Sequence, residues 1–289
     1  MSELLGELIV PFTYQYMFKA MWVSALVGGV CAFLSAYLML KGWSLMGDAL
    51  AHSIVPGVAA AYIMGAPFAI GAFFAGILAS LAMYVVRQTS RLREDAIIGL
   101  VFTSLFALGL LMASIWPTSV SIQTVVLGNI LAISDEDVVQ IALIAAVSLA
   151  VLVLFWKDMM VTFFDESHAR SIGLRTTLLK AVFFTLLSAC TVAALQAVGA
   201  CLVIAMVVTP GATAYLLTDR FGRLVALSVA IGAVTSFVGA YVSYFLDGAT
   251  GGVIVSLQTL LFLAAFYLAP KHGVFAARRR HLSAGASPS

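Results

Sequence analysis

Charge is what this sequence has least of. Only 10% of its 289 residues are Asp, Glu, Lys or Arg, where soluble domains carry about a quarter. With 63% apolar residues and a mean hydropathy of +1.10, the chain is too apolar for a soluble domain. The connections between apolar runs are short, which excludes a sizeable domain outside the membrane. Basic residues form no extended patch for nucleic acid, and the Arg278–Arg280 run is too short to supply one. Cysteine is scarce as well. Cys31, Cys190 and Cys201 lie inside apolar runs without CxxC spacing, so they read as small core residues and not as a disulfide framework. No GxxxxGK[ST] sequence occurs, so any ATP that powers this protein is bound by another subunit. Neither HExxH nor a nucleophile–base spacing is present, and the chain is not expected to be an enzyme. The N-terminus lacks a basic segment and a small-residue cleavage site, so no removed signal peptide is expected.

What is abundant is the apolar run of about 20 residues, the length that crosses a bilayer as a helix. Nine such runs are read, at 16–40, 44–65, 68–87, 96–115, 138–156, 177–197, 199–217, 224–246 and 251–269, with a count of eight to ten. The piece 122–133 is too short to cross and reads as re-entrant or interfacial. The expected fold is an all-α polytopic membrane protein with one transmembrane domain over 16–270. Residues 1–15 form an external segment, and the polar tail 271–289 is disordered in the cytoplasm. Placing the 158–176 loop in the cytoplasm puts fourteen of the fifteen basic residues on that side, leaving only Lys19 outside. The acidic stretch Ser134–Asp137 and Asp247 fall outside. The positive-inside rule is satisfied, with an external N-terminus and a cytoplasmic C-terminus.

Within Lys41–Tyr62, KGWSLMGDALAHSIVPGVAAAY, stand Asp48 and His52, the only carboxylate and the only imidazole assigned to a span. An ionisable residue there costs roughly 2.5–3.5 kcal/mol on insertion scales, so it marks a substrate or ion path more often than a packing site. At i, i+4 the two share one helix face, where a carboxylate oxygen and an imidazole nitrogen can hold one divalent cation. The competing reading is a mutual hydrogen bond that locks helix packing. Gly47 precedes the pair and Pro56-Gly57 follows it, which predicts a broken helix beside the path. Met46, two residues from Asp48, points elsewhere on a regular helix and reads as packing.

Pro210-Gly211, with Tyr215 beyond, echoes Pro56-Gly57 with Tyr62 beyond, and a second break is expected there. Pairing the first four runs with the last four reverses their direction, the pattern of an inverted-repeat transporter. The longest cytoplasmic connection is 158–176. Its segment Asp165–Ser171 reads as a short helix, capped by Asp165 and ended by Gly173.

The motif G-D-A-x-x-H-x-x-x-P-G is present as Gly47, Asp48, Ala49, His52, Pro56 and Gly57. The pattern D-x-x-x-A-x-x-x-G-L is present as Asp165, Ala169, Gly173 and Leu174, and VGACLVIAMVVTPGATA runs over 198–214. On these segments the chain resembles the membrane permeases of metal-ion ABC importers, with wording nearer the manganese/iron branch than the zinc branch. The resemblance extends over residues 14–270. It implies a type II ABC importer-like architecture in a bacterial inner membrane, and a second permease copy or a closely similar permease. It further implies two ATP-binding cassette subunits and a periplasmic or lipoprotein metal-binding protein. In such a permease Asp165, Ala169, Gly173 and Leu174 belong to the coupling helix that docks on the ATPase. Divalent manganese, iron or zinc is then the transported substrate, and no cofactor is held permanently. A secondary, proton- or sodium-coupled metal transporter is the alternative that the Asp–His pair also admits.

Overall fold

The computed structural model describes residues 9–116 and 133–269, with the backbone alone at 200–202. The short apolar piece 122–133 falls outside the described residues except for Ile133, and the 271–289 tail lies wholly outside them. The elements are α1 (Gln15–Lys41), α2 (Met46–Ser53), α3 (Val55–Ile63), α4 (Phe68–Thr89), α5 (Glu94–Ile115) and α6 (Asp135–Phe164). They continue as α7 (Glu166–Ser171), α8 (Thr176–Val198), α9 (Ala200–Leu217), α10 (Phe221–Leu246) and α11 (Thr250–Leu268). Every regular element among the described residues is a helix, as the composition predicts. Seven of these helices, α1, α4, α5, α6, α8, α10 and α11, are long and apolar enough to cross a membrane. The seventh predicted run is the shorter apolar helix α9, and the second is divided between α2 and α3.

The chain forms two compact units. One comprises Met1–Met39 and Ala205–Ser289, the other Leu40–Ile204. In the first, α1 meets α10 at small residues. A Cβ added to Gly28 would collide with Ser236 and the Gly232 carbonyl, and one added to Gly232 would collide with Ala32 and the Gly28 carbonyl. Lipid tails are as apolar as leucine, so close packing and hydrogen bonds, not apolar burial alone, hold such helices together. Ser228 Oγ accordingly donates to the Ala32 carbonyl at 2.6 Å, and Gln258 Nε2 of α11 donates to Thr235 Oγ1 of α10 at 3.1 Å.

Pro210 does not break its helix. The sequence pattern predicts a break at Pro210-Gly211, but α9 runs continuously through both residues. Proline has no N–H to offer the Met206 carbonyl, and the neighbouring backbone is supported from α1. Ser35 Oγ donates to the Val208 carbonyl at 3.1 Å and accepts from the Gly211 N–H at 3.1 Å. Gly211 is there for closeness, since a Cβ on it would strike Ser35.

The second unit contains the real interruption. Ile54 separates α2 from α3, and Pro56 falls in the first turn of α3, where a missing N–H costs little. Three glycines let this bent segment sit against its neighbours. A Cβ on Gly57 would collide with the Gly71 carbonyl and Ala75 of α4. One on Gly109 of α5 would come within 2.8 Å of the Pro56 nitrogen and of Val55 Cγ1. One on Gly76 of α4 would lie 2.9 Å from Ser188 of α8 and 3.4 Å from Ile54 Cγ2.

Candidate ion site and docking segment

Helix α2 has only eight residues, and it carries Asp48 and His52 one turn apart. Imidazole Nδ1 lies 3.0 Å from Asp48 Oδ1 and 3.1 Å from the Asp48 backbone carbonyl. The carbonyl contact has hydrogen-bond geometry, whereas Asp48 Oδ1 is buried with no hydrogen-bond partner among the described residues. The side chains are part-exposed, 24% for His52 and 35% for Asp48, on a face that the chain itself leaves open. No group of three or more His, Cys, Asp or Glu able to hold a metal occurs among the described residues.

Two aromatic rings that the sequence reading did not single out set the imidazole's plane. Phe102 and Phe106, one turn apart on α5, meet His52 edge-on at centroid distances of 5.6 and 5.3 Å. Their i, i+4 spacing was visible in the sequence, but nothing there tied that stripe to His52. Gly47 is buried in the first turn of α2. Met46 does not join the pair. It lines a cavity of about 140 Å³ together with Trp43, Arg87, Glu94, Glu166 and Lys180.

The 158–176 connection has the local structure that its sequence predicts. Asp165 Oδ1 accepts from the N–H groups of Ser167 and His168 at 2.9 and 3.0 Å, capping α7. At the other end Gly173 adopts φ +85°, a left-handed conformation that favours glycine. Its N–H bonds the Arg170 carbonyl, and the Leu174 N–H bonds that of Ala169, which closes the helix in a Schellman motif. Ala169 is fully buried within the chain, so its small size serves the seating of α7. Phe164 and Ile172, at the two ends of the segment, are the large apolar side chains left exposed, at 77% and 55%.

Glu166 ties this segment to α8. Its carboxylate pairs with Lys180 and, at 2.6 Å, with Arg170, whose Nε also reaches Thr176 Oγ1 at 3.2 Å. Burial pushes the Glu166 carboxyl up, but hydrogen bonds and charge from Lys180 and Arg170 outweigh it and hold it below the ordinary glutamate value. A carboxyl lowered in the folded state stabilises the fold at higher pH, and that contribution is lost as pH falls through the lowered value. The link therefore holds at neutral pH and weakens as the pH falls into acid.

A family model described as the ABC 3 transport family matches residues 13–269. The chain belongs to that family. It is 68% identical over 277 residues to a chelated iron transport system membrane protein, YfeC, of Yersinia pestis, with 96% of this chain and 94% of that protein covered. It is 46% identical to a manganese transport system membrane protein, MntB, of Synechocystis, over 96% of this chain and 90% of that one. Among solved structures it resembles PsaBC from Streptococcus pneumoniae in complex with Fab, with a TM-score of 0.84 and 32% identity over 95% of this chain and 99% of that chain. The protein is thus a multi-pass membrane permease of the ABC type.

Proposed function

We propose that this permease is the membrane subunit of an ATP-driven importer that moves divalent manganese or iron into the bacterial cytoplasm. The observation that carries the reading is the Asp48–His52 pair on the interrupted α2–α3 segment. Two donors 3.0 Å apart, each about 2.1 Å from a shared ion, subtend roughly 90° at it. A carboxylate and an imidazole so placed admit manganese, iron or zinc. An entering ion takes the Asp48 carboxylate and His52 Nδ1 as ligands, with the imidazole proton held on Nε2. Two ligands from one chain hold an ion weakly, which suits passage. A second permease copy presenting its own pair would complete the shell, and the open face beside Asp48 and His52 supports that arrangement.

The ATPase is supplied by partner subunits, since this chain has no phosphate-binding loop. Residues 158–176 are the cytoplasmic docking segment, with Phe164 and Ile172 as its apolar contacts. A periplasmic or lipoprotein binding protein delivers the ion from outside. The names of the relatives support the ion, and the family supports the ABC-type drive over a secondary transporter.

The test is uptake of radiolabelled manganese and iron by the assembled complex. Asp48→Asn keeps the shape but removes the charge that balances the ion. His52→Ala removes the nitrogen. Both are expected to abolish uptake at normal complex levels. Normal uptake with Asp48→Asn returns the pair to a packing role and overturns the reading.

A further inference from the structure

The cavity beneath α2 is walled by Trp43, a residue that neither the ion pair nor the docking segment includes. The indole is 6% exposed and held from four directions. Its Nε1–H donates to Glu94 at the start of α5. Glu94 in turn binds Arg87 of α4 at 2.6 Å, and the Arg87 guanidinium lies 5.8 Å from the indole ring. Phe184 of α8 stacks on the ring at 5.6 Å, and Phe163 at the end of α6 meets its edge at 5.7 Å. The Trp43 carbonyl accepts the Met46 N–H at 3.1 Å, so the indole's own backbone forms the entry to α2.

These contacts bridge the two functional segments. Phe163 stands two residues before the Asp165 cap of α7. Phe184 is one helical turn beyond Lys180, which holds Glu166 of α7. On the other side, Asp48 is two residues into the helix whose first N–H the Trp43 carbonyl binds. Displacement of α7 or of the near end of α8 therefore bears on the indole, alongside the direct packing of α8 on α2.

We propose that Trp43 is a positioning residue that transmits movement of the docking segment to the Asp48–His52 pair. This rests on the reading of those two segments given above. The indole touches no ion. It acts through α2, setting where Asp48 and His52 stand when the docking segment is engaged. The test reads coupling and not folding.

The experiment uses the complete complex in proteoliposomes and measures manganese ions moved per ATP hydrolysed. Trp43→Leu is expected to lower that ratio about fivefold, within the span of coupling free energies such residues carry. Trp43→Phe keeps the stacking on Phe184 but loses the bond to Glu94, and should recover part of the ratio. A ratio equal to wild type in Trp43→Leu overturns the proposal. Should that variant fail to assemble, the native indole decides. With Trp22, Trp116 and Trp156 and the tryptophans of the partner subunits each changed to Phe, emission from Trp43 is expected to shift when a non-hydrolysable ATP analogue is added to the complex. An unchanged spectrum overturns the proposal. Failure of the underlying reading looks different, since the unmodified complex would then move neither manganese nor iron.

Discussion

The chain contains two Pro-Gly dipeptides in apolar helical context, and they do opposite things. Pro56-Gly57 follows an interruption at Ile54 and leaves two short helices, one of which presents Asp48 and His52. Pro210-Gly211 lies within a continuous α9. The chemistry of proline is the same in both, so the difference comes from what surrounds it. At Pro56 the proline sits in a first turn, and glycines at 57, 71 and 109 let three helices close around the bend. At Pro210 a hydroxyl from α1 supports the backbone, and the helix continues. A proline in a membrane helix is thus an offer of a break, which the neighbouring helices accept or refuse.

The largest effects should come where the two sites agree. Both glycines are required for close approach. Gly57→Val would drive a branched side chain into the Gly71 carbonyl, and Gly211→Val would do the same to Ser35. Overpacking against backbone costs about 1–3 kcal/mol or more. Thermal unfolding of the purified permease should show both variants strongly destabilised. A near-normal midpoint for Gly57→Val alone would mean that the α3–α4 crossing is looser than described.

The prolines themselves should separate the two regions. Pro56→Ala restores an N–H that can bond the His52 carbonyl, which favours fusing α2 and α3 into one helix and turning the ion pair relative to α5. Manganese uptake should fall severalfold while the assembled amount is unchanged. Pro210→Ala returns a donor to an already continuous helix and should leave uptake near wild type. Equal uptake in the two variants would erase the distinction between break and continuous helix.

How much of this was legible beforehand follows from which forces act locally. The helical class, the apolar runs and the α7 caps were readable, because hydropathy, Asp165 and Gly173 act over one or two turns. The pairing of Asp48 with His52 was readable from i, i+4 spacing. The fate of Pro210 was not, since it depends on Ser35, which is 175 residues away in sequence and carries no local sign of its role. Phe102, Phe106 and Trp43 were hidden for the same reason. Each is an ordinary aromatic in an apolar segment until the fold brings it to the pair.

The finest test of the comparison is Ser35 itself. Ser35→Ala removes the hydroxyl that donates to the Val208 carbonyl and accepts from the Gly211 N–H. A typical net loss is about 1 kcal/mol per hydrogen bond, and double-mutant cycles within membrane helices average about 0.6 kcal/mol. The loss should be smaller when Pro210 is already alanine, because the restored N–H lets the ladder close without help from α1. Thermal unfolding of wild type, Ser35→Ala, Pro210→Ala and the double variant measures this directly as a non-additive term. The expected sign is favourable coupling between Ser35 and Pro210, visible as a double variant more stable than the sum of the two single changes. Strict additivity would mean that Ser35 merely packs against α9, and that the helix tolerates Pro210 without its support.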